Sequence, residues 1–470
     1  MKIPSLLLAR LSVVSLTLLL SACMLGPDYS QPETVATDRV RHQDGWQPMP
    51  EQSWAASGRW WLAFEDDTLS DLVELSVQEN QTLAQAEARY RAAEAQWRLA
   101  RGGLSPNVGA TLGGSRSGGS GEGRSTSELY DARLQIGWAP DVWGRVRREI
   151  EADQAGLQAS AADLAAVRLA IQIATANSYI NLRALDRQQA ILNETMAAYD
   201  RSANLTRNQY EAGIVSRADV IQAETQRQSL RTEMYDLQAS RAREQNALAA
   251  LLGVAPVQLS LKEDHQLPAV PVLPQSLPSI LIARRPDVVA AERLVAAANA
   301  RIGVAQTAWL PDITLDLWGG VQSGSFSGLF DAPARVWSLG PSLAQTLFDG
   351  GQRQATKDMA IARYDEQAAF YRQTVLDGLR ELEDALATLQ ILAEKTAQQA
   401  ELLSLAEENE RVITNRYRAG QVSFLEVATA QNITLGSRRV TVQLQAERLA
   451  ATLQLAAVIG GGWEVDPEVE

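Results

Sequence analysis

Thiols are almost absent from this chain. Cys23 is the only cysteine, so no internal disulfide can form. Histidine is nearly as scarce: His42 and His265 are the only two, and neither sits near another histidine or a cysteine. No zinc-type spacing, phosphate-cradling glycine loop or nucleophile motif is present. Nothing in the sequence calls for catalysis, a cofactor or a metal. Beyond the first residues no run approaches the roughly 18 consecutive apolar residues of a transmembrane helix. Basic clusters are missing too. The formal net charge is −13, which argues against nucleic acid or anionic lipid headgroups as partners.

The start of the chain is of a different kind. Lys2 and Arg10 frame a charged beginning, and Leu11–Leu20 is apolar. That stretch is too short to cross a bilayer and suits a secretory signal, residues 1–22. It ends in "LSAC", Leu20 to Cys23. Small residues before a cysteine resemble the bacterial lipobox, where cleavage precedes the Cys and its thiol is acylated. Loss of Lys2 and Arg10 with the signal moves the net charge from −13 to −15.

Proline is missing from Asp141 to Ala255 and again from Ser342 to Asp466. Both spans are rich in Ala, Leu, Gln, Glu and Arg, which favour helix. They predict one long helix over 145–212 and another over 352–419, each roughly 100 Å at 1.5 Å per residue. Such rods imply an elongated object. Each ends at nearly the same sequence: "YEAGIVSRADVIQA" from Tyr210 and "YRAGQVSFLEVATA" from Tyr417. Gly213 and Gly420 stand where a helix C-terminus takes a left-handed residue. Ser216 and Ser423 follow as N-caps, with Asp219 and Glu426 completing the S-x-x-D/E pattern of a capping box. Return helices are expected over 217–252 and 424–459.

The repeat extends outward from the turns. "QTLAQAEARYRAAEAQ" (81–96) matches "PDVVAAERLVAAANAR" (286–301), and "LSPNVGATLGG" (104–114) matches "LPDITLDLWGG" (310–320). The expected plan is an N-terminal segment 23–65, repeat one over 66–266, a Pro-rich linker 267–280, repeat two over 281–459 and a tail 460–470. Each repeat reads helix, β-hairpin (104–140 and 310–348), long helix, turn, helix. The hairpins switch to period two. Tyr130, Ala132, Leu134, Ile136 and Trp138 alternate with Asp131, Arg133, Gln135 and Gly137. Arg335–Leu347 is the weakest case. Strands of about ten residues with one apolar face fit a transmembrane barrel, although a small soluble sheet packed on helices has the same pattern. Trp138, Trp143, Trp309, Trp318 and Trp337 lie in or beside the hairpins, as an aromatic girdle would. Four strands cannot close a barrel, and open edges are not tolerated in lipid. More than one chain must share it.

The fold class is therefore α+β: very long antiparallel helices plus two hairpins per chain, in an internal two-fold repeat. With "LSACMLGPDY", "WWLAFEDDTLSDLV", the paired turns, "RRPDVVAAE" and "GVAQTAWLPDITL", the chain resembles the TolC family of outer-membrane efflux channels. Within it the chain resembles the lipoprotein branch serving resistance-nodulation-division pumps. The resemblance implies a homotrimer with a twelve-strand outer-membrane barrel and a periplasmic helical barrel that narrows at its tip. It implies an exit duct for small molecules, docked on a periplasmic adaptor and an inner-membrane pump. Two alternatives share features of the sequence: a type I protein secretion duct, and a lipoprotein spacer without a pore.

The candidate sites follow. Cys23 is the lipidation site, and Met24 rather than Asp after it suits the outer membrane. Asp131, Arg133 and Asp316 are expected in the barrel lumen. Tyr210, Glu211, Arg217, Tyr417 and Arg418 are the candidate periplasmic gate, with ion pairs between helix tips holding it shut. Gly213, Ser216, Asp219, Gly420, Ser423 and Glu426 are turn and cap residues. Relatives often carry an Asp and an Arg just after the second turn, where this chain has Thr429 and Asn432.

Overall fold

Proline-free sequence becomes continuous helix. In the computed structural model, which describes residues 24–34, 58–119, 126–271, 284–331 and 335–463, the elements are α1 (Asp67–Glu79), α2 (Gln81–Gly102), β1 (Asn107–Ser117), β2 (Ser127–Trp138), α3 (Arg145–Glu211), α4 (Arg217–Leu251), α5 (Pro286–Thr307), β3 (Asp312–Ser323), β4 (Arg335–Ala344), α6 (Gln352–Arg418) and α7 (Phe424–Val458). The signal segment, Cys23, His42 and most of the Pro-rich linker lie outside the described residues.

The expected single helix before each hairpin holds for the second repeat only. In the first, Asn80 divides α1 from α2. Its Oδ1 accepts from Thr82 N at 2.8 Å and Leu83 N at 3.0 Å, and its Nδ2 donates to the Leu251 carbonyl at 2.7 Å. An N-cap side chain thus starts a new helix where composition alone suggests continuity.

The contacts divide into two units. One comprises residues 1–33, 89–161 and 290–372 and contains the sheet. The other comprises 34–88, 162–289 and 373–470 and contains both helical turns. The second unit holds the main apolar core. Trp60, Trp61, Phe64, Leu69 and Val73 pack with Ile173, Tyr179, Ile180 and Leu182 of α3, Leu248 and Leu252 at the end of α4, and Leu449 and Leu453 of α7. One 18-residue window of α3 reaches a mean hydropathy of 1.2, and 33% of it is buried within the protein. Asp186 anchors the chain after α4. Fully buried, it bonds Arg183 at 3.1 Å and Arg241 at 2.5 Å and accepts from Asp264 N.

The four strands form one antiparallel sheet in the order β1-β2-β3-β4. Its faces correct the repeat alignment by one residue. Val108 opposite Ile136 matches Ile313 opposite Leu343 on the apolar face, whereas Thr314, which the alignment sets with Val108, lies opposite Ser342 on the other face. A one-residue slip exchanges the two faces of a strand, and only this offset puts Pro106 with Pro311 and apolar with apolar.

Candidate functional sites: an open sheet and two helical turns

Pairing across the sheet sorts its side chains cleanly. Val108, Ala110, Leu112, Ala132, Leu134, Ile136, Leu315, Leu317, Leu339 and Leu343 share one face. Much of it lies bare in the chain: Leu112 is 80% exposed, Trp337 77% and Leu343 68%. The other face carries Asp131 opposite Gln322, Arg133 opposite Gly320 and Asp316 opposite Gly137. The three expected lumen residues therefore lie on one face. Arg133 organises it. Its guanidinium lies 3.2 Å from Asp131, donates to Gln322 Oε1 at 3.0 Å and covers the Trp318 ring at 4.8 Å. Among the described residues, the outer edges of β1 and β4 have no strand beside them.

The tryptophans do not form one girdle. Trp138 and Trp337 are on the apolar face, but Trp318 is on the polar face beneath Arg133. Trp143 donates to the Pro311 carbonyl at 2.8 Å, and Trp309 lies under Arg353. An aromatic chain that tryptophan placement missed runs from Tyr130 to Phe326 to Phe330, with ring centroids 6.0 and 6.2 Å apart. Tyr130 continues the apolar alternation of β2, and "FSGLF" in the loop is its visible signal.

Both turns close the same way. Gly213 (φ +75°) and Gly420 (φ +73°) are left-handed. Ile214 N donates to Gln209 O and Gly213 N to Tyr210 O; Gln421 N donates to Arg416 O and Gly420 N to Tyr417 O. These are Schellman closures, in which glycine avoids the Cβ penalty of positive φ. The starts of the return helices differ. Ser216 and Asp219 form the expected reciprocal capping box. Ser423 makes no side-chain cap bond, and Glu426 is exposed. In place of the second box is an apolar cluster: Tyr417, Phe424, Val427 and Ala428 with Ala203, Ala223 and Val422. Phe424 stands where the first turn has Arg217, and its ring meets Tyr417 edge-on at 5.7 Å.

That cluster changes the reading of the gate. Tyr417 is 3% exposed, and its hydroxyl lies 2.9 Å from Thr206 Oγ1. Burial raises its pKa, against the bond from Thr206. It is a core residue of the turn, not a surface residue. Tyr210, Glu211, Arg217 and Arg418 are exposed, and among the described residues none of the three charged ones has an ion-pair partner within the chain. One link between the helical hairpins is uncharged, at Asn432, whose Oδ1 accepts from Tyr199 OH at 3.0 Å and Gln226 Nε2 at 3.3 Å, while Arg439 of α7 forms an ion pair with Glu233 of α4. Thr429 donates to its own helix, at Leu425 O.

The residues after Cys23 are strapped down. Arg148, its side chain 1% exposed, donates to Leu25 O at 3.0 Å, Gly26 O at 3.3 Å, Asp28 at 2.9 Å and Glu151 at 2.7 Å. Burial alone would lower its pKa, but the bonds to the two carboxylates raise it. Asn299 donates to Pro27 O, Tyr29 to Glu292, and Gln31 to Tyr371 OH. Cys23 itself lies outside the described residues.

Comparison with known proteins agrees over nearly the whole length. The sequence profile described as outer membrane efflux protein matches residues 72–254 and 277–461. The probable efflux pump outer membrane protein TtgC of Pseudomonas putida is 30% identical over 462 residues, covering 96% of this chain and 95% of that protein. The cation efflux system protein CusC of Escherichia coli is 29% identical, covering 95% and 97%. The solved outer-membrane channel OprN superposes with a TM-score of 0.87 at 30% identity, covering 94% of this chain and all of that one.

Proposed function

The chain belongs to the outer membrane efflux protein family, and we propose that three copies close one transmembrane barrel whose lumen continues into the periplasmic helices. The protein is the outer-membrane exit duct of a tripartite efflux pump and reaches from the outer membrane into the periplasm. The observation that carries the reading is the open sheet. One face is apolar and bare, the other is polar, and among the described residues both edges lack a neighbour. Hydrocarbon tolerates the first face and rejects unpaired edges, so closure by further copies satisfies both demands.

In this reading Asp131, Arg133 and Asp316 face water in the lumen. Acylated Cys23 holds the strapped N-terminus at the periplasmic leaflet. A periplasmic adaptor and an inner-membrane pump of the resistance-nodulation-division type engage the end that carries the two turns. Arg418, Arg217 and Glu211 meet their charge partners there between copies. Small molecules pass through without chemical change.

The test is the mass of the purified protein in mild detergent together with its conductance in planar bilayers. A trimer that conducts is expected. A folded monomer without conductance refutes the shared barrel. Crosslinking in cells identifies the adaptor and pump. Deletion that blocks export of a protein without altering drug susceptibility would favour the secretion duct.

A further inference from the structure

A groove among the helices next to the sheet is built from the same positions of both repeats. It encloses about 540 Å³ between α2, α3, α5 and α6, within the unit that contains the sheet. That size suits a small organic molecule. By the match of 81–96 with 286–301, Gln96 of α2 answers to Arg301 of α5 and Leu99 to Val304. α3 and α6 have 67 residues each, so Glu149 answers to Thr356 and Ala152 to Met359. All of these line the groove.

Four helices that turn equivalent positions to one hollow form an arc, and the hollow is its concave side. The outer side is marked on α5. Asn299 donates to Pro27 O, and a Cβ on Gly303 would lie 2.8 Å from Leu25 O, so both residues face the strap. Arg301 and Ala305 lie two residues further on, about 200° round the helix. The groove therefore opens on the face of α5 turned away from the strap. An acylated N-terminus lies outside the barrel, in lipid, and the groove then faces the lumen.

The positions match but the charges do not. Glu149 and Asp153 stand where the second repeat has Thr356 and Ala360, while Arg301 and Arg363 stand where the first has Gln96 and Gly156. The two carboxylates are engaged. Glu149 lies 3.3 Å from Arg145, and Asp153 accepts from Gln96 Nε2 at 3.2 Å. The two arginines are exposed, and among the described residues neither has an ion-pair partner. Leu99 and Met359 are bare on the same wall.

We propose that this groove is a transit site for amphiphilic organic anions. Arg301 and Arg363 take the anionic group, which a guanidinium grips through paired N–H donors. Leu99, Val304 and Met359 take the apolar body. In a chain of formal net charge −13, free cations beside apolar side chains give an anion a local stop. The proposal rests on the duct reading and adds to it a class of molecule that the wall holds in passage.

The test uses the full-length protein in planar bilayers, each variant first checked for parental mass in mild detergent. Naphthalene-2-sulfonate is added, and separately the same ring system bearing a trimethylammonium group. The sulfonate is expected to block the current saturably and in preference to the cation. Arg301→Gln with Arg363→Gln should weaken the sulfonate block several-fold without weakening that by the cation. Leu99→Gln with Met359→Gln should also weaken the sulfonate block, yet leave the reversal potential in a salt gradient unchanged. That second variant separates a site from the summed charge of the lumen. A conducting parent without preference for the sulfonate overturns the proposal and leaves the duct reading standing. So does either double variant blocked like the parent. A folded parent that does not conduct removes both.

Discussion

Tyr417 and Thr206 join the second turn to α3, hydroxyl to hydroxyl at 2.9 Å, and both are buried. Tyr417→Phe removes that bond alone and should cost about 1 kcal/mol. Tyr417→Ala also empties the space against Phe424 and should cost about 3–5 kcal/mol. Denaturant unfolding separates the two. Added conductance in Tyr417→Ala would thus report a loosened turn. The gate is better tested at exposed Arg418. Arg418→Glu should leave unfolding unchanged, raise resting conductance and sensitise cells to large antibiotics such as vancomycin. If it conducts like the parent, Arg418 is not part of the gate.

The two N-caps should respond unequally. Ser216→Ala breaks a formed capping box and should cost about 1 kcal/mol, the usual value for a cap. Ser423 has no cap bond to lose, so Ser423→Ala should cost only a few tenths of that by the same reasoning. Hydrogen exchange at the first turns of α4 and α7 reads each locally. Equal loss of protection would contradict the asymmetry.

The strap gives a third outcome. Arg148→Met keeps bulk but removes the donors to Leu25 O and Gly26 O. Residues 24–33 should then become open to limited proteolysis while acyl labelling at Cys23 continues. Cys23→Ser should abolish that labelling, and label that persists in it would show that the lipobox was misassigned.

Tyr179 predicts an alkaline effect. Burial and the Asp66 carboxylate outweigh Arg183 and push its pKa up from 10.0 to about 12. The folded state thus favours the neutral phenol. The resulting stability is fully present below pH 10.0 and is lost as pH rises towards about 12. Tyr179→Phe should flatten the fall in melting temperature across that window. An unchanged slope would remove Tyr179 as its source.

Much of this was legible in the sequence because long-range order here rests on local signals. Proline-free helices end at Arg418 and Glu211, glycines at 213 and 420 mark both turns, and strict alternation in β2 gave its faces. What escaped depended on a single side chain's partner. Asn80 looks helical until its side chain is seen to cap α2. Ser423 has the letters of a capping box, but Phe424 drew the turn into an apolar cluster. Tyr417 repeats Tyr210 in sequence, yet one is buried and the other exposed. β4 was faint because Pro341 and Gly340 interrupt its alternation, and it took the pairing with β3 to fix its faces. Trp318 fits a girdle by residue type alone, and it takes the pairing with β2, opposite Gln135, to set it on the polar face with Asp316.

The central claim is that the sheet separates water from lipid, and thiol accessibility at two adjacent residues tests it most directly. Arg133 and Leu134 lie on opposite faces of β2. Arg133→Cys and Leu134→Cys, each on the Cys23→Ser background, are treated in trimeric, membrane-inserted protein with a water-soluble thiol reagent. Rapid labelling at position 133 and none at 134 is the predicted result. Equal labelling at both, or labelling at 134 alone, would contradict a barrel with these faces.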